Sequence, residues 1–234
     1  MTQKNTFVLG VGAEQGIGFQ TAQHFGRNGH QVYIAGRDET RLKAQADQLG
    51  AIAICLDATD TNAVQDTFDQ LPVLDCIVHN VGANVRKTFD EMDAAFFETM
   101  WRTNSLSAFN VASAGGNKLK AQGYGSLLFT SASAAMRGKP GFAAFAATRG
   151  GNRMMIQALA KELGPQGVHV AQVVVDGIVN GQRALDRWPE VVQNLGDDGT
   201  IDPAAVAELF WFLHHQPRSA WTHEMDIRPF KESF

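Results

Sequence analysis

Short apolar runs alternate with longer stretches whose apolar residues recur every three or four positions, and the alternation persists along the whole chain. Short apolar runs fit strands buried on both faces, and the three-to-four spacing fits helices with one face on a core. Strands are expected at residues 6–11, 31–35, 51–56, 74–79, 126–131 and 168–175, with a last short one near 223–227. Helices are expected at 18–28, where Phe19, Ala22 and Phe25 share a face, at 38–49 with Asp38 as N-cap, and at 61–70. A long helical region with polar interruptions covers roughly 89–121, and another helix covers 142–163. Asp202 and Pro203 open a helix running to about residue 214. Residues 180–199 have weak periodicity and read as a loop or short helix over a site. The pattern predicts a Rossmann-type three-layer α/β/α sandwich with a doubly wound parallel sheet. With no repeat, low-complexity stretch or linker, residues 1–234 read as a single domain.

Composition narrows the function classes. Hydrophobic residues make up 44% of the 234, enough for a large core, so disorder is excluded. The net charge is −4 and no basic block occurs, which argues against nucleic-acid binding. No apolar run approaches the roughly 20 residues of a membrane helix, and the polar start, residues 1–6, does not resemble a signal peptide. Cys55 and Cys76 sit in apolar runs and read as buried thiols in a reducing compartment. These features fit a soluble, cytoplasmic protein. No grouping of ligand residues suggests a metal, and His214 and His215 at a helix end are expected to complement its dipole.

After the first strand comes Gly12-Ala13-Glu14-Gln15-Gly16-Ile17-Gly18, opening a helix. Such a turn brings backbone N–H groups and the helix N-terminus against a pyrophosphate, where a Cβ would block approach. Strand, glycine turn and helix within one βαβ unit form the context a dinucleotide site requires. The second strand runs into Gly36-Arg37 rather than an acidic residue. A carboxylate there would hold ribose hydroxyls, whereas a guanidinium can grip a 2′-phosphate. The expected cofactor is NADP(H), with NAD(H) as the alternative.

The spacing Gly-x-x-x-Gly-x-Gly resembles the short-chain dehydrogenase/reductase superfamily, and further motifs agree in order from about residue 6 to 215. Asp57 and Ala58 are similar to the family's adenine contact, Asn80 and Gly82 to its Asn-Ala-Gly motif, and Asn104 to its mid-helix Asn. Asp176, Gly177 and Ile178 stand where the family has Pro-Gly beside the nicotinamide. The resemblance implies cofactor contacts from Gly12, Gln15, Gly16, Ile17, Gly18, Arg37, Asp57, Ala58, Asn80, Gly82, Arg149, Asp176, Gly177 and Ile178. Gln15 holds a position that is basic in many NADP-using members.

The family's chemistry rests on a Ser, a Tyr and a Lys, and the resemblance places Ala132, Phe145 and Arg149 at those positions. Phe145 cannot transfer a proton, and Arg149 can donate to ribose hydroxyls but is too basic to shuttle one. Asn104, which supports a water relay in the family, remains. Tyr33 and Tyr124 are placed away from the nicotinamide. His79, at the end of the fourth strand, is a further acid/base candidate that more simply reads as a core histidine. Ser131 and Ser133 could contact a carbonyl. The resemblance implies an NADP(H)-dependent oxidoreductase acting on a carbonyl or alcohol with an atypical site. A catalytically degenerate NADP(H)-binding sensor or partner subunit, or a non-redox enzyme on the same scaffold, stays open. Phe142, Phe145 and Trp188 favour an apolar small-molecule ligand, and Arg183 and Arg187 belong to the expected pocket wall. The two long helices are expected to make a homodimer or homotetramer.

Overall fold

The computed structural model describes residues 3–232. Seven parallel strands form one sheet: β1 (Lys4–Leu9), β2 (His30–Gly36), β3 (Ile52–Cys55), β4 (Cys76–His79), β5 (Gly125–Ala132), β6 (Val168–Val175) and β7 (Glu224–Ile227). Their order is β3-β2-β1-β4-β5-β6-β7. The chain therefore moves outward from β1 to one edge, then returns to β4 and builds the other half. The reversal between β1 and β4 opens a crevice beyond their carboxyl ends. Leu9 lies opposite His79 there, and Ala132 opposite Val175 further along.

Helices cover both faces: α1 (Ile17–Arg27), α2 (Glu39–Leu49), α3 (Thr61–Gln70), α4 (Ala94–Trp101), α5 (Ser107–Gln122), α6 (Ala143–Leu163), α7 (Gln182–Arg187), α8 (Pro189–Leu195) and α9 (Pro203–His214). One core, with Phe7, Phe68, Leu119 and Phe129, lies under α3, α5 and α6. The other, with Phe19, Phe25, Ile34 and Phe210, lies under α1, α2 and α9. β6 is buried along its whole length, which is why six of its eight residues are apolar, with His169 and Gln172 as buried polar exceptions. Asp38 caps α2 as expected, accepting from the Arg41 N–H at 3.1 Å. No helix among the described residues is long and apolar enough to cross a membrane.

Several expectations need correction. The first strand ends at Leu9, because the Gly10 and Val11 N–H groups both turn to the Ala35 carbonyl, at 2.9 and 3.1 Å. The long helical region begins at Ala94, with the Asp93 side chain capping the Phe96 N–H at 2.7 Å. Its polar interruption is a π-helical turn, Arg102–Leu106, between α4 and α5. The weakly periodic segment, read as a loop or short helix, forms the two short helices α7 and α8, in keeping with the second reading. Cys55 is exposed, since β3 is an edge strand, while Cys76 is buried and its thiol pKa raised by that burial. His214 does not complement a helix dipole as a cation, because burial lowers its pKa to about 3.

Candidate active site

The crevice at the β1/β4 reversal is a cleft of about 1250 Å³, above the roughly 300–1,000 Å³ of drug-sized ligand sites. The glycine turn forms its floor. Gly18 packs so closely that a Cβ would lie 2.6 Å from the Gly10 carbonyl oxygen and 3.0 Å from Asn80 Nδ2. Backbone cannot yield there, so Gly18→Ala is expected to cost about 1–3 kcal/mol, measurable as a lower denaturation midpoint. A Cβ on Gly12 would instead meet open space, so that stretch faces the cleft. Gln45 Nε2 donates to the Gly12 carbonyl at 2.7 Å and pins the turn from behind. Asn80 ties the strand ends together, its Nδ2 donating to Gly10 O at 3.1 Å and its Oδ1 accepting from Thr130 Oγ1 at 2.7 Å.

At the β2 end, Gly36, Arg37, Asp38 and Arg41 line the cleft. Asp38 is paired with Arg41 at 2.7 Å, so its carboxylate is already engaged beside exposed Arg37. Arg41 was not singled out from sequence; its signal was position, one helical turn past Arg37 and three residues after Asp38. Asp57 and Ala58 also line the cleft. The Asp57 carboxylate accepts from the Thr59 N–H and hydroxyl, both at 2.9 Å, and these bonds hold its pKa down. Gln15 is exposed and does not line the cleft; a Cβ on Gly181 of the α7 entrance would press on its carbonyl.

The far end brings together Ala132, Phe142, Phe145, Arg149, Asp176, Gly177, Ile178 and Trp188. Phe145 and Arg149 are one turn apart on α6, with the guanidinium 5.3 Å from the ring centroid. Arg149 is 7% exposed. It donates to the Thr130 carbonyl at 3.1 Å and the Val81 carbonyl at 3.5 Å, and forms no ion pair among the described residues. Burial, then the nearby Arg183 charge, lowers its pKa to about 10. Gly82 makes room for it: a Cβ there would overlap the guanidinium. Asn104, on the π-helical turn, spends its side chain on Ala83, accepting from the N–H at 2.9 Å and donating to the carbonyl at 3.1 Å. Its own carbonyl accepts from Asn152 Nδ2 at 2.9 Å.

Asp176 is buried and held by Arg137 through two bonds of 2.6 and 2.8 Å. Burial alone would raise its pKa, but Arg137, Ser133 and Arg228 together lower it. Arg137 carries no signal in the sequence, because nothing local marks a contact 39 residues away. Arg183 and Arg187 of α7 reach across to the carbonyls of Gly82 and Asn84, at 2.9–3.4 Å, and close one wall.

A family model described as short chain dehydrogenase matches residues 6–187. The chain belongs to the short chain dehydrogenase family. One relative, the 3-oxoacyl-[acyl-carrier-protein] reductase MabA of Mycobacterium tuberculosis, is 29% identical over 91% of this chain and 86% of its own length. The crystal structure of a short-chain dehydrogenase from Rhodopseudomonas palustris is 30% identical, with a TM-score of 0.81 over 98% of this chain and 100% of that one. An NADPH-bound short chain oxidoreductase of Pseudomonas aeruginosa PAO1, which contains an atypical catalytic center, shares the fold at 20% identity and a TM-score of 0.86, over 99% and 97% of the two chains.

Besides Gln15, the candidates Asn104, Ser131 and His79 of this short chain dehydrogenase fall outside the cleft lining. Ser131 is buried, whereas Ser133 lines the cleft. His79 is 1% exposed and lies behind the wall, its Nε2 3.2 Å from Ser107 Oγ. Ser107 gives its only hydroxyl proton to the Thr103 carbonyl at 2.6 Å, so His79 donates from Nε2 and is neutral. Burial first, then Arg149, lowers its pKa to about 3. Buried His30 and half-buried His214 are lowered to about 4 and about 3, chiefly by loss of hydration. Depressed histidine pKa values mean that the unfolded chain takes up protons the native chain refuses. Stability from these three is thus complete above the ordinary histidine value of 6.5 and is lost as pH falls toward the folded values. Urea melts are expected to show the midpoint dropping steadily from pH 6.5 to pH 4, and a flat profile would contradict this.

Proposed function

We propose that this chain is an NADP(H)-dependent oxidoreductase acting on a carbonyl or alcohol through an atypical active site. The observation that carries the reading is the combination in one cleft of an open glycine turn with Arg37 beside a neutralised Asp38. The residues present fit the cofactor. The turn from Gly12 through Gly16 and Ile17 to Gly18 faces the pyrophosphate, and Arg37 with Arg41 faces the 2′-phosphate. Asp57 and Ala58 border the adenine. Asn80, Gly82 and Arg149 border the nicotinamide ribose, and Asp176, Gly177 and Ile178 the carboxamide. Gln15, outside the cleft, is left out of this set. The NADPH-bound fold neighbour and the reductase relative support the same reading. When bound, the nicotinamide supplies or accepts the hydride.

Ala132, Phe145 and Arg149 stand where the family has its Ser, Tyr and Lys. Phe145 offers no proton, and Arg149 donates hydrogen bonds without releasing one at neutral pH. Asn104 is committed to Ala83, and His79 is neutral and out of reach. Ser133 lines the cleft and polarises the substrate carbonyl once its single hydroxyl proton turns from Asp176 to the substrate, with solvent supplying the proton for the product. Phe142, Phe145 and Trp188 favour an apolar substrate.

A crystal structure of the NADP⁺ complex tests this reading. It is expected to place the 2′-phosphate on Arg37 and the nicotinamide between Phe145 and Asp176; a dinucleotide bound elsewhere refutes it.

We also propose that the chain forms a homodimer or homotetramer. Exposed Phe97, Trp101, Phe109 and Met154 lie on α4, α5 and α6, more apolar surface than a lone subunit needs to show. Sedimentation at micromolar concentration is expected to give a dimer or tetramer, and a monomer contradicts the proposal.

A further inference from the structure

The opposite end of the sheet carries a cluster that the cleft does not use. His30 opens β2, and His214 and His215 close α9. Each ring offers a nitrogen, and the three nitrogens lie within 4.8 Å of one another. Ring centroids are 5.5 Å apart for His30 and His214, 6.4 Å for His30 and His215, and 4.7 Å for His214 and His215. A tetrahedral zinc ion bound at about 2.0–2.1 Å by each imidazole nitrogen sets centroids roughly 5 Å apart, close to these spacings.

The rings are also held from behind. His30 Nδ1 is 2.7 Å from Thr6 Oγ1, and His214 Nδ1 is 2.9 Å from Ser126 Oγ. His215 Nδ1 donates to the Trp211 carbonyl at 2.9 Å. In the tautomer where the two hydroxyls accept from Nδ1, the Nε2 of each ring keeps its lone pair for a metal. Metal-bound imidazoles depend on this kind of support, which fixes ring orientation and tautomer.

We propose that His30, His214 and His215 form a three-imidazole site for a divalent transition metal of the zinc type, with the fourth position left to solvent. Imidazole sets of this kind favour zinc, copper and nickel over magnesium or calcium. His30 is buried, His214 half-buried and His215 exposed, which gives the ion a path from solvent. Lys4, Asp75 and His215 face His30, while Lys4, His30, His169 and His215 face His214. The ligands come from β2 and the end of α9, so the ion ties that helix to the sheet. Its effect is on stability, remote from the cleft.

The test uses the full, untagged chain stripped with a chelator. Zinc is titrated by calorimetry and cobalt(II) by visible absorption, with Trp211 fluorescence recorded in parallel; its ring lies 3.9 Å from that of His215. One ion per chain, a four- or five-coordinate cobalt spectrum and a higher melting temperature with zinc are expected. His215→Gln, at the exposed position, is expected to weaken zinc at least tenfold, while His24→Gln, outside the trio, leaves it unchanged. Wild-type binding no tighter than that of His215→Gln, or a cobalt spectrum of six oxygen ligands, overturns the proposal.

Discussion

The triple variant Ala132→Ser, Phe145→Tyr, Arg149→Lys is expected to reduce carbonyls with NADPH at least 100-fold faster than the wild type. A positioned general acid contributes roughly 10²–10⁴-fold, and a donor aimed at the developing oxyanion roughly 10²–10³-fold. Such groups act as a unit, so the two gains do not simply multiply. The geometry favours recovery. Ala132, Phe145 and Arg149 all line the cleft, and Phe145 and Arg149 already share one face of α6. A lysine is shorter than the guanidinium that Gly82 accommodates, so it fits without backbone change. Stopped-flow measurement of NADPH oxidation with ketones and aldehydes checks the gain. A triple variant that folds and binds NADPH yet is no faster would show that the cleft lacks the family's geometry.

Arg37→Ala is expected to weaken NADPH about 10–100-fold, the equivalent of one charged hydrogen-bonding contact, and to leave NADH nearly unchanged. Wild-type NADPH should bind more tightly than NADH. Asp38 sits next to Arg37, but its pairing with Arg41 at 2.7 Å removes the repulsion a free carboxylate would exert on a 2′-phosphate. Arg41→Ala should therefore also narrow the preference, by freeing Asp38. Dissociation constants from tryptophan quenching check both variants, and an Arg37→Ala chain with unchanged NADPH affinity contradicts the assignment.

Local signals in the sequence reached far into the fold. β6 was legible to the residue, because a strand buried on both faces is largely apolar, as six of its eight residues are. The α2 cap and the glycine turn were equally legible, since each depends on neighbours in the chain. Features that depend on distant partners were not. The Arg137–Asp176 pair, the Arg183 and Arg187 contacts on Gly82 and Asn84, and the histidine trio join residues 39 to 185 positions apart. His79 read as an acid/base candidate because it ends a strand beside Asn80. Its side chain instead points to Ser107 on the covered face, a distinction that strand alternation alone does not settle when both faces are buried. The polar interruption at 102–106 was visible, but not that it is a π-helical turn from which Asn104 reaches Ala83.

The most direct test of an NADP(H)-dependent oxidoreductase with an atypical site is wild-type NADPH oxidation, followed across a panel of apolar ketones and aldehydes at saturating cofactor. We predict turnover that is measurable above the protein-free blank yet well below the ordinary enzymatic range of about 1–10³ per second. Two results would contradict the account. No oxidation by a chain shown to be loaded with NADPH would remove the oxidoreductase, and turnover within the ordinary range would mean that Phe145 and Ala132 do not limit the chemistry.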